Sequence, residues 1–380
     1  MSETTPNRNP VGSKPSSLKA PLSDEKRAGY TQKFLESIRV PQRPPSNFDP
    51  LRANTTELKT YGLPPRPKDT KRLSEWEKQM SKYKNVTFIN PRFKPRQRRK
   101  VPIHKGVDPS KGHNSSRRKK RNSLIGQIKD TDDADEVDEW DTDDWSGAVI
   151  SSSDGEYLWT IKAKWTVPTP DPGRSDQNSW CVSAWIGIDG WLGGDGVSET
   201  TWFSDDITIL AGGTSHEVYE DDDGNIDRDI YAWYRWYPSD EIEIDLTVNS
   251  GDVVSCHIWA SDTSTGHFYI HNETTDECST FEFTAPDGYS LQGDSAQWIV
   301  QDYWENSLAR FGSIEFTDCS AGEASSLPGD DSKLEDDTTW LDLNAAGDIG
   351  TMEEGDGASC TLEIDGDSDL KITHDDDGED

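Results

Sequence analysis

No apolar stretch in this chain is long enough to span a bilayer, and none near Met1 forms a signal-peptide core. The sequence therefore reads as a protein with no membrane span, cytoplasmic by default and extracellular only through another start or a route without a cleaved signal. Cysteine is scarce as well. The five residues Cys181, Cys256, Cys278, Cys319 and Cys360 have neither the tight spacing nor the histidine partners of a zinc site, and no Cys-His pair suggests a nucleophile. Structural packing is their expected role, with an odd number leaving at least one unpaired. Lysine and arginine are nearly absent from residues 130–380, where they number 8 against 62 aspartates and glutamates.

What the second part lacks, the first has in excess. Residues 1–129 hold 31 Lys and Arg against 10 Asp and Glu, so the overall charge of −33 conceals a part near +21 joined to one near −54. The basic part has few aromatic or branched residues to offset the entropy of ordering, and Pro-rich, charged stretches such as Pro41-Gln-Arg-Pro-Pro-Ser and Pro64-Pro-Arg-Pro-Lys-Asp run through it. Residues 1–128 accordingly read as a mostly disordered basic arm, 129–139 as an acidic linker, 140–374 as the folded body and 375–380 as an acidic tail. One short helix is expected in the arm over Leu73–Tyr83, where Trp76, Met80 and Tyr83 fall at helical spacing. The basic runs Lys94–Lys100 and Arg117–Arg121 fit tethering to the acidic body in cis better than nucleic acid, since no aromatic interleaving or groove-reading motif accompanies them. So negative a body is best tolerated where counterions screen it or where acid neutralises it, which points to a halophilic or an acid-working protein.

The body carries strand signals throughout. Trp159-Thr-Ile-Lys-Ala-Lys-Trp-Thr-Val, Ile242-Glu-Ile-Asp-Leu-Thr-Val and Thr361-Leu-Glu-Ile-Asp alternate apolar and polar residues, with Asp-Gly and Ser-Gly turns between runs. About a dozen short strands with little helical periodicity describe an all-β antiparallel sandwich or barrel. Two acidic loops, Asp221–Asn225 and Asp365–Asp369, fail the calcium-loop spacing, because Tyr219 and Ile230 fall on ligand positions of the first and Leu370 on the glycine position of the second. Both read as hairpin turns, and no metal or cofactor is implied.

Aromatic blocks then narrow the choice. Trp180-Cys-Val-Ser-Ala-Trp-Ile-Gly-Ile-Asp-Gly, Ala232-Trp-Tyr-Arg-Trp-Tyr-Pro and Ala296-Gln-Trp-Ile-Val-Gln-Asp lie between Asp144-Trp-Ser-Gly-Ala-Val-Ile and the later Glu315-Phe-Thr-Asp-Cys-Ser and Thr338-Thr-Trp-Leu-Asp-Leu. In content and order these segments resemble the framework of the glutamic peptidases, the eqolisins, over roughly 230 residues. The resemblance implies a concanavalin-like sandwich of two antiparallel sheets with an aromatic cleft on a concave face. In the family a Glu acts as general base on a water and then as acid, while a Gln holds the water and stabilises the oxyanion. The Glu lies in an Ala-Glu-Trp-Ile-Val-Glu block, so the resemblance places Gln297 at its position.

Two registers are open for the family's glutamine. Local similarity of Ile209-Leu-Ala-Gly-Gly-Thr puts Ala211 there and removes the dyad altogether. Counting without a gap from Gly190 puts Glu199 there and exchanges the dyad, with Glu199 as base and Gln297 as oxyanion donor. Glu217, Asp302 and Glu305 are further carboxylates near the blocks, and His216 is a base of suitable pKa. Trp165, Trp185, Trp233, Trp236 and Trp298 are the candidates for a groove that takes an extended peptide. Three functions follow: a peptide-binding pseudoenzyme, an acid endopeptidase with an exchanged dyad, and a lectin-like sandwich stacking sugars on tryptophan.

Overall fold

Period-two patterning becomes strands over most of the body, as the sequence predicts. The computed structural model describes residues 22–96, 137–142, 144–174, 177–191, 208–302, 307–326, 338–353 and 357–375. Three helices come first, α1 (Asp24–Ser37), α2 (Thr55–Thr60) and α3 (Thr70–Ser81), followed by strands β1 (Thr87–Phe88) and β2 (Phe93–Arg96). The body begins with β3 (Asp138–Thr142), β4 (Trp145–Ser151), β5 (Tyr157–Thr166), β6 (Ser179–Ile188), β7 (Leu210–Glu220), β8 (Ile226–Trp236) and β9 (Glu241–Ile244). It continues through β10 (Val253–Ala260), β11 (Thr265–Asn272), β12 (Glu277–Thr284), β13 (Ser295–Gln301) and β14 (Ser313–Ala324). Strands β15 (Thr339–Leu341), β16 (Asp348–Met352), β17 (Ser359–Asp365) and β18 (Asp369–Asp375) complete it.

The strands form two sheets. One runs β1-β12-β11-β10-β5-β14-β18-β17 with β15 beside β14, and the other runs β2-β9-β8-β7-β6-β13-β4-β16-β3. The pairings are antiparallel except at two edges, where β1 lies parallel to β12 and β3 parallel to β16. Both sheets are therefore mixed, which amends the expectation of two purely antiparallel ones. The acidic loops are hairpin turns: Asp221 accepts from the backbone of Asp223 and Asn225 between β7 and β8, and residues 366–368 turn β17 into β18. All five cysteines are buried, and none is joined in a disulfide.

Each sheet buries apolar side chains on both faces. The inner faces meet in the main core, where Trp165, Trp236 and Trp298 pack with Ile161, Phe268, Phe281 and Phe316. The outer face of the first sheet carries Trp159, Trp259, Tyr269 and Cys278, and the arm covers it with Leu58, Leu63, Trp76, Met80 and Tyr83. Over residues 22–96 the arm is thus built into the fold, where its composition led us to expect disorder around one helix. That helix is α3, and its Trp76 and Met80 are buried as their spacing requires. The physical reason for the difference is that the apolar partners the arm lacks are supplied by the body. Phe34 of α1 enters the main core against Tyr234 and Phe283, with ring centroids 5.5 and 5.3 Å away, and β1 and β2 extend one sheet each. The Pro-rich segment is pinned too, since Trp76 Nε1 donates to Pro64 O at 3.1 Å and Thr280 Oγ1 donates to Gly62 O.

Charge joins the two parts as well. Lys33 pairs with Asp287, Lys71 with Asp367, Lys82 with Glu273 and Arg92 with Asp245, at 2.5 to 2.7 Å. The exposed ones, those of Lys33, Lys71 and Arg92, contribute little each. A deeper set lies under α3, where Lys162 Nζ is 2.7 Å from Glu75 and Arg72 is 3.2 Å from the same carboxylate. Burial alone would raise Glu75, but Lys162 and Arg72 outweigh it and hold the carboxyl below its ordinary range. Beside them His257 is buried with Nε2 2.8 Å from Thr160 Oγ1, and burial together with Lys162 pushes its pKa down to about 3.

Two outcomes follow. Phe34→Ala should destabilise the full chain by about 3–5 kcal/mol in urea unfolding, because it empties a filled position between the sheets. His257 is neutral in the fold and protonates below its ordinary pKa of 6.5 only when unfolded. Its contribution is therefore complete above pH 6.5 and lost as pH falls toward 3, at roughly 1.4 kcal/mol per pH unit. His257→Gln should flatten the dependence of unfolding free energy on pH between 6.5 and 4 by about that slope.

Candidate active site

Strand β13 carries the centre because its side chains alternate. Ala296, Trp298 and Val300 enter the main core, so Gln297, Ile299 and Gln301 project from the opposite face of the second sheet. That face holds Trp145, Val149, Cys181, Trp185, Ala211, Tyr231 and Trp233, all buried. Strand register sets Asp348, Val149, Gln297, Gly187, Ala211 and Arg235 side by side along one row. Gln297 and Ala211 are thus on one face with only a glycine between them, two strand spacings or about 10 Å apart at the backbone. Gly187 is required there, as a Cβ would come within 3.0 Å of Ala211 Cβ and Trp185 Cζ3.

Gln297 is held in one orientation. Its Nε2 donates to Asp189 O at 2.5 Å and to Ser295 Oγ at 3.4 Å. A carbonyl oxygen can only accept, so the amide nitrogen must face Asp189 and the amide oxygen must face away. That Oε1 is buried and has no hydrogen-bond partner among the described residues. Asp189 is itself fixed, with φ at 67° and a carboxylate that accepts from the backbone N–H groups of Gln292, Gly293 and Asp294 at 2.7 to 3.1 Å. Gln301 is fixed from the other end. Its Oε1 accepts from Trp185 Nε1 at 3.2 Å, and its Nε2 is buried without a partner among the described residues.

Carboxyl groups stand elsewhere on the same face. Asp348 stands in the row beyond Val149, with Asp138 of β3 paired beyond it, and accepts from Trp140 Nε1 at 2.9 Å and Trp191 Nε1 at 3.1 Å. Burial holds its carboxyl above the ordinary range, with Asp138 adding to the effect and the two indoles opposing it. At about 10 Å from Gln297 it cannot share a hydrogen bond with that amide. Glu217 lies opposite Cys181, taking the Tyr231 hydroxyl at 2.8 Å and the Tyr219 hydroxyl on its other oxygen. Cys181 Sγ is 3.3 Å from Asp302 Oδ1, which also accepts from Ser307 Oγ at 2.8 Å. Two further carboxylates of the sequence reading, Glu217 and Asp302, are therefore gathered on either side of Cys181, away from Gln297.

With this geometry established, comparison with known proteins is decisive at one point. A family model described as the peptidase A4 family matches residues 143–374. The chain belongs to that family. Aspergillopepsin-2 of Aspergillus niger is 28% identical over 239 residues, covering 57% of this chain and 76% of the relative. Scytalidopepsin B of Scytalidium lignicola is 29% identical over 208 residues, covering 50% and 68%. A crystal structure of scytalido-glutamic peptidase with a peptide-based transition state analogue is 24% identical, covering 61% of this chain and 98% of that one at a TM-score of 0.44. A structure of aspergilloglutamic peptidase from Aspergillus niger is 25% identical over 52% of this chain, at a TM-score of 0.38. The resemblance read from the aromatic blocks is borne out.

Other candidates fall differently in this A4 chain. Trp185 and Trp233 lie on the Gln297 face, with Trp233 Nε1 donating to Ser183 Oγ at 3.2 Å. Trp165, Trp236 and Trp298 do not line a groove, because strand alternation turns them into the main core. Their indole nitrogens are satisfied there by Thr214 Oγ1, Thr208 Oγ1 and Lys162 O. His216 is directed away from this face, bonded to Val182 O at 2.9 Å and Thr214 Oγ1 at 3.0 Å. Glu199 and Glu305 lie outside the described residues. Asp189 and Asp348 escaped the sequence reading. Asp189 stood within a quoted block, whereas Asp348 takes its indole partners 157 and 208 residues away, a pairing with no local signal.

Gln297→Glu should expose how the site is matched to an amide. One oxygen of the introduced carboxyl would face Asp189 O at 2.5 Å, which a proton must bridge, so its folded pKa is raised. The variant should unfold with near-parental free energy at pH 4. It should lose roughly 1.4 kcal/mol per pH unit as pH rises above about 4.3, measured by urea unfolding from pH 4 to 7.

Proposed function

We propose that this A4 domain binds an extended peptide on the Gln297 face without carrying out the glutamic-peptidase reaction. The observation that carries the reading is the orientation of Gln297, whose amide nitrogen is committed to Asp189 O and Ser295 Oγ. A general base must accept a proton near neutral or mildly acidic pH, and an amide oxygen does not. Neither neighbour in its row supplies the missing carboxylate, since those positions are Val149 and Gly187, and Ala211 has no amide to place a water or an oxyanion. The relatives bear peptidase names, and one is known with a bound peptide-based transition state analogue, which supports peptide as the ligand class. Trp185 and Trp233 give the face the aromatic character suited to such a chain. The same orientation weighs against an exchanged dyad, because both amide hydrogens of Gln297 are engaged and neither is left for an oxyanion.

The test is proteolysis by the full chain of a reduced, alkylated and denatured protein from pH 2 to 7, at low and high salt, beside Glu199→Gln. The expected result is no fragments from either protein under conditions where circular dichroism shows both folded. Fragments from the parent that vanish in Glu199→Gln would overturn the proposal and establish the exchanged dyad.

A further inference from the structure

The arm carries a cavity of its own. Its volume is about 730 Å³, within the range of pockets that enclose a small ligand, and every lining residue lies between Pro44 and Phe88. It is therefore outside residues 143–374, the part matched to the A4 family. One wall is aromatic. Phe48 packs edge to face on Tyr61 at 4.6 Å between centroids and on Tyr83 at 5.8 Å, and Tyr83 lies 5.1 Å from Phe88. Phe48, Tyr61 and Phe88 are only half-buried, so three rings keep apolar surface uncovered. The hydroxyl of the buried Tyr83 has no hydrogen-bond partner among the described residues, and burial raises its pKa, so it stays a donor.

The rim is acidic on balance, with Asp49 and Glu57 against Arg52. Arg52 Nε is 3.5 Å from Asp49, and Glu57 has no basic partner among the described residues. A net negative pocket in an arm so rich in lysine and arginine favours a cationic ligand. The arm also shows how it holds a basic, proline-rich segment. Its own Pro64-Pro-Arg-Pro lies on Trp76, whose Nε1 donates to Pro64 O at 3.1 Å while the Arg66 guanidinium sits 4.9 Å from the ring centre. The cavity presents corresponding elements a second time: aromatic faces, a hydroxyl donor and two carboxylates for the cation.

We propose that this cavity binds a proline-rich peptide with a basic residue, carried by another protein, its proline rings lying on Phe48, Tyr61 and Phe88 and its cation reaching Glu57 and Asp49. A polyproline II segment has no internal hydrogen bonds, so its carbonyls are free to accept from a donor such as the Tyr83 hydroxyl, and its stiff backbone loses little entropy on binding. Proline also brings no N–H that an aromatic wall would leave unpaired. The inference is independent of the reading of the Gln297 face and is tested apart from it.

The experiment measures fluorescence anisotropy of labelled Pro-Pro-Arg-Pro-Pro against the full chain at about 0.1 M salt. The acidic body attracts any basic peptide, so Ala-Ala-Arg-Ala-Ala, of equal charge, is the control, and Pro-Pro-Gln-Pro-Pro isolates the cation. The proline peptide should bind at least tenfold more tightly than the alanine one, and exchange of its Arg for Gln should weaken it about tenfold. The double variant Asp49→Asn, Glu57→Gln keeps the oxygens that accept from Leu51 N and Asn54 N, so the local turns are retained. It should erase the preference for Arg over Gln and leave Pro-Pro-Gln-Pro-Pro binding as in the parent. The peptide series needs no altered protein, so the inference stays testable even where the variant fails to fold. Equal binding of the proline and alanine peptides would overturn it, as would absence of binding. A preference for Arg that survives in the folded double variant would place the peptide elsewhere and overturn it too.

Discussion

Both faces of each sheet carry large apolar side chains, and covering these is the constraint from which the rest of the structure follows. The inner faces satisfy each other, but Trp159, Trp259, Tyr269 and Cys278 on the outer face of the first sheet have no second sheet to meet. The arm meets them with Trp76, Met80 and Tyr83, and it delivers Phe34 into the core between the sheets. At roughly 25 cal/mol per Å² of apolar surface removed from water, such burial far exceeds what the exposed ion pairs between arm and body contribute. Charge complementarity aligns the two parts, and apolar burial holds them.

The same constraint places the candidate site. A strand of a sheet buried on both faces must carry apolar or internally satisfied residues on each side. In β13 one side is Ala296, Trp298 and Val300, which anchor the core, and the other is Gln297, Ile299 and Gln301. Each glutamine meets the cost of burial through one firm hydrogen bond, to Asp189 O or from Trp185 Nε1. Those bonds are geometrically incompatible with an ionised carboxylate at position 297, because an oxygen there would oppose another oxygen at 2.5 Å. The surroundings and the residue agree, so the amide is part of how this sheet is built.

Sequence reading went further in the body than in the arm for a definite reason. In the body, alternation within single strands is a local signal, and it foretold β5, β17 and the hairpin turns at 221–225 and 366–368. It also foretold α3 from the spacing of Trp76, Met80 and Tyr83. It gave no sign of α1, α2, β1 or β2, whose stabilising contacts are with residues about 150 to 250 positions later, as in Phe34 with Phe283 and Phe93 with Phe281. Alternation likewise says that Trp165, Trp236 and Trp298 share a face with their own neighbours, but which face meets the other sheet is decided only when the sheets pack.

The sequence by itself determined the family, through aromatic blocks in a set order, the all-β class, through period-two patterning, and the absence of a glutamate at position 297, through the Ala296-Gln-Trp-Ile-Val-Gln block. Only the tertiary structure decided that Ala211 stands in the row of Gln297, that the amide of Gln297 turns its oxygen away from Asp189 O, and that Asp348 stands in the same row. Each of these depends on strands brought together from distant parts of the chain. Pairing register and a single backbone carbonyl fix them, and neither leaves a mark in local composition.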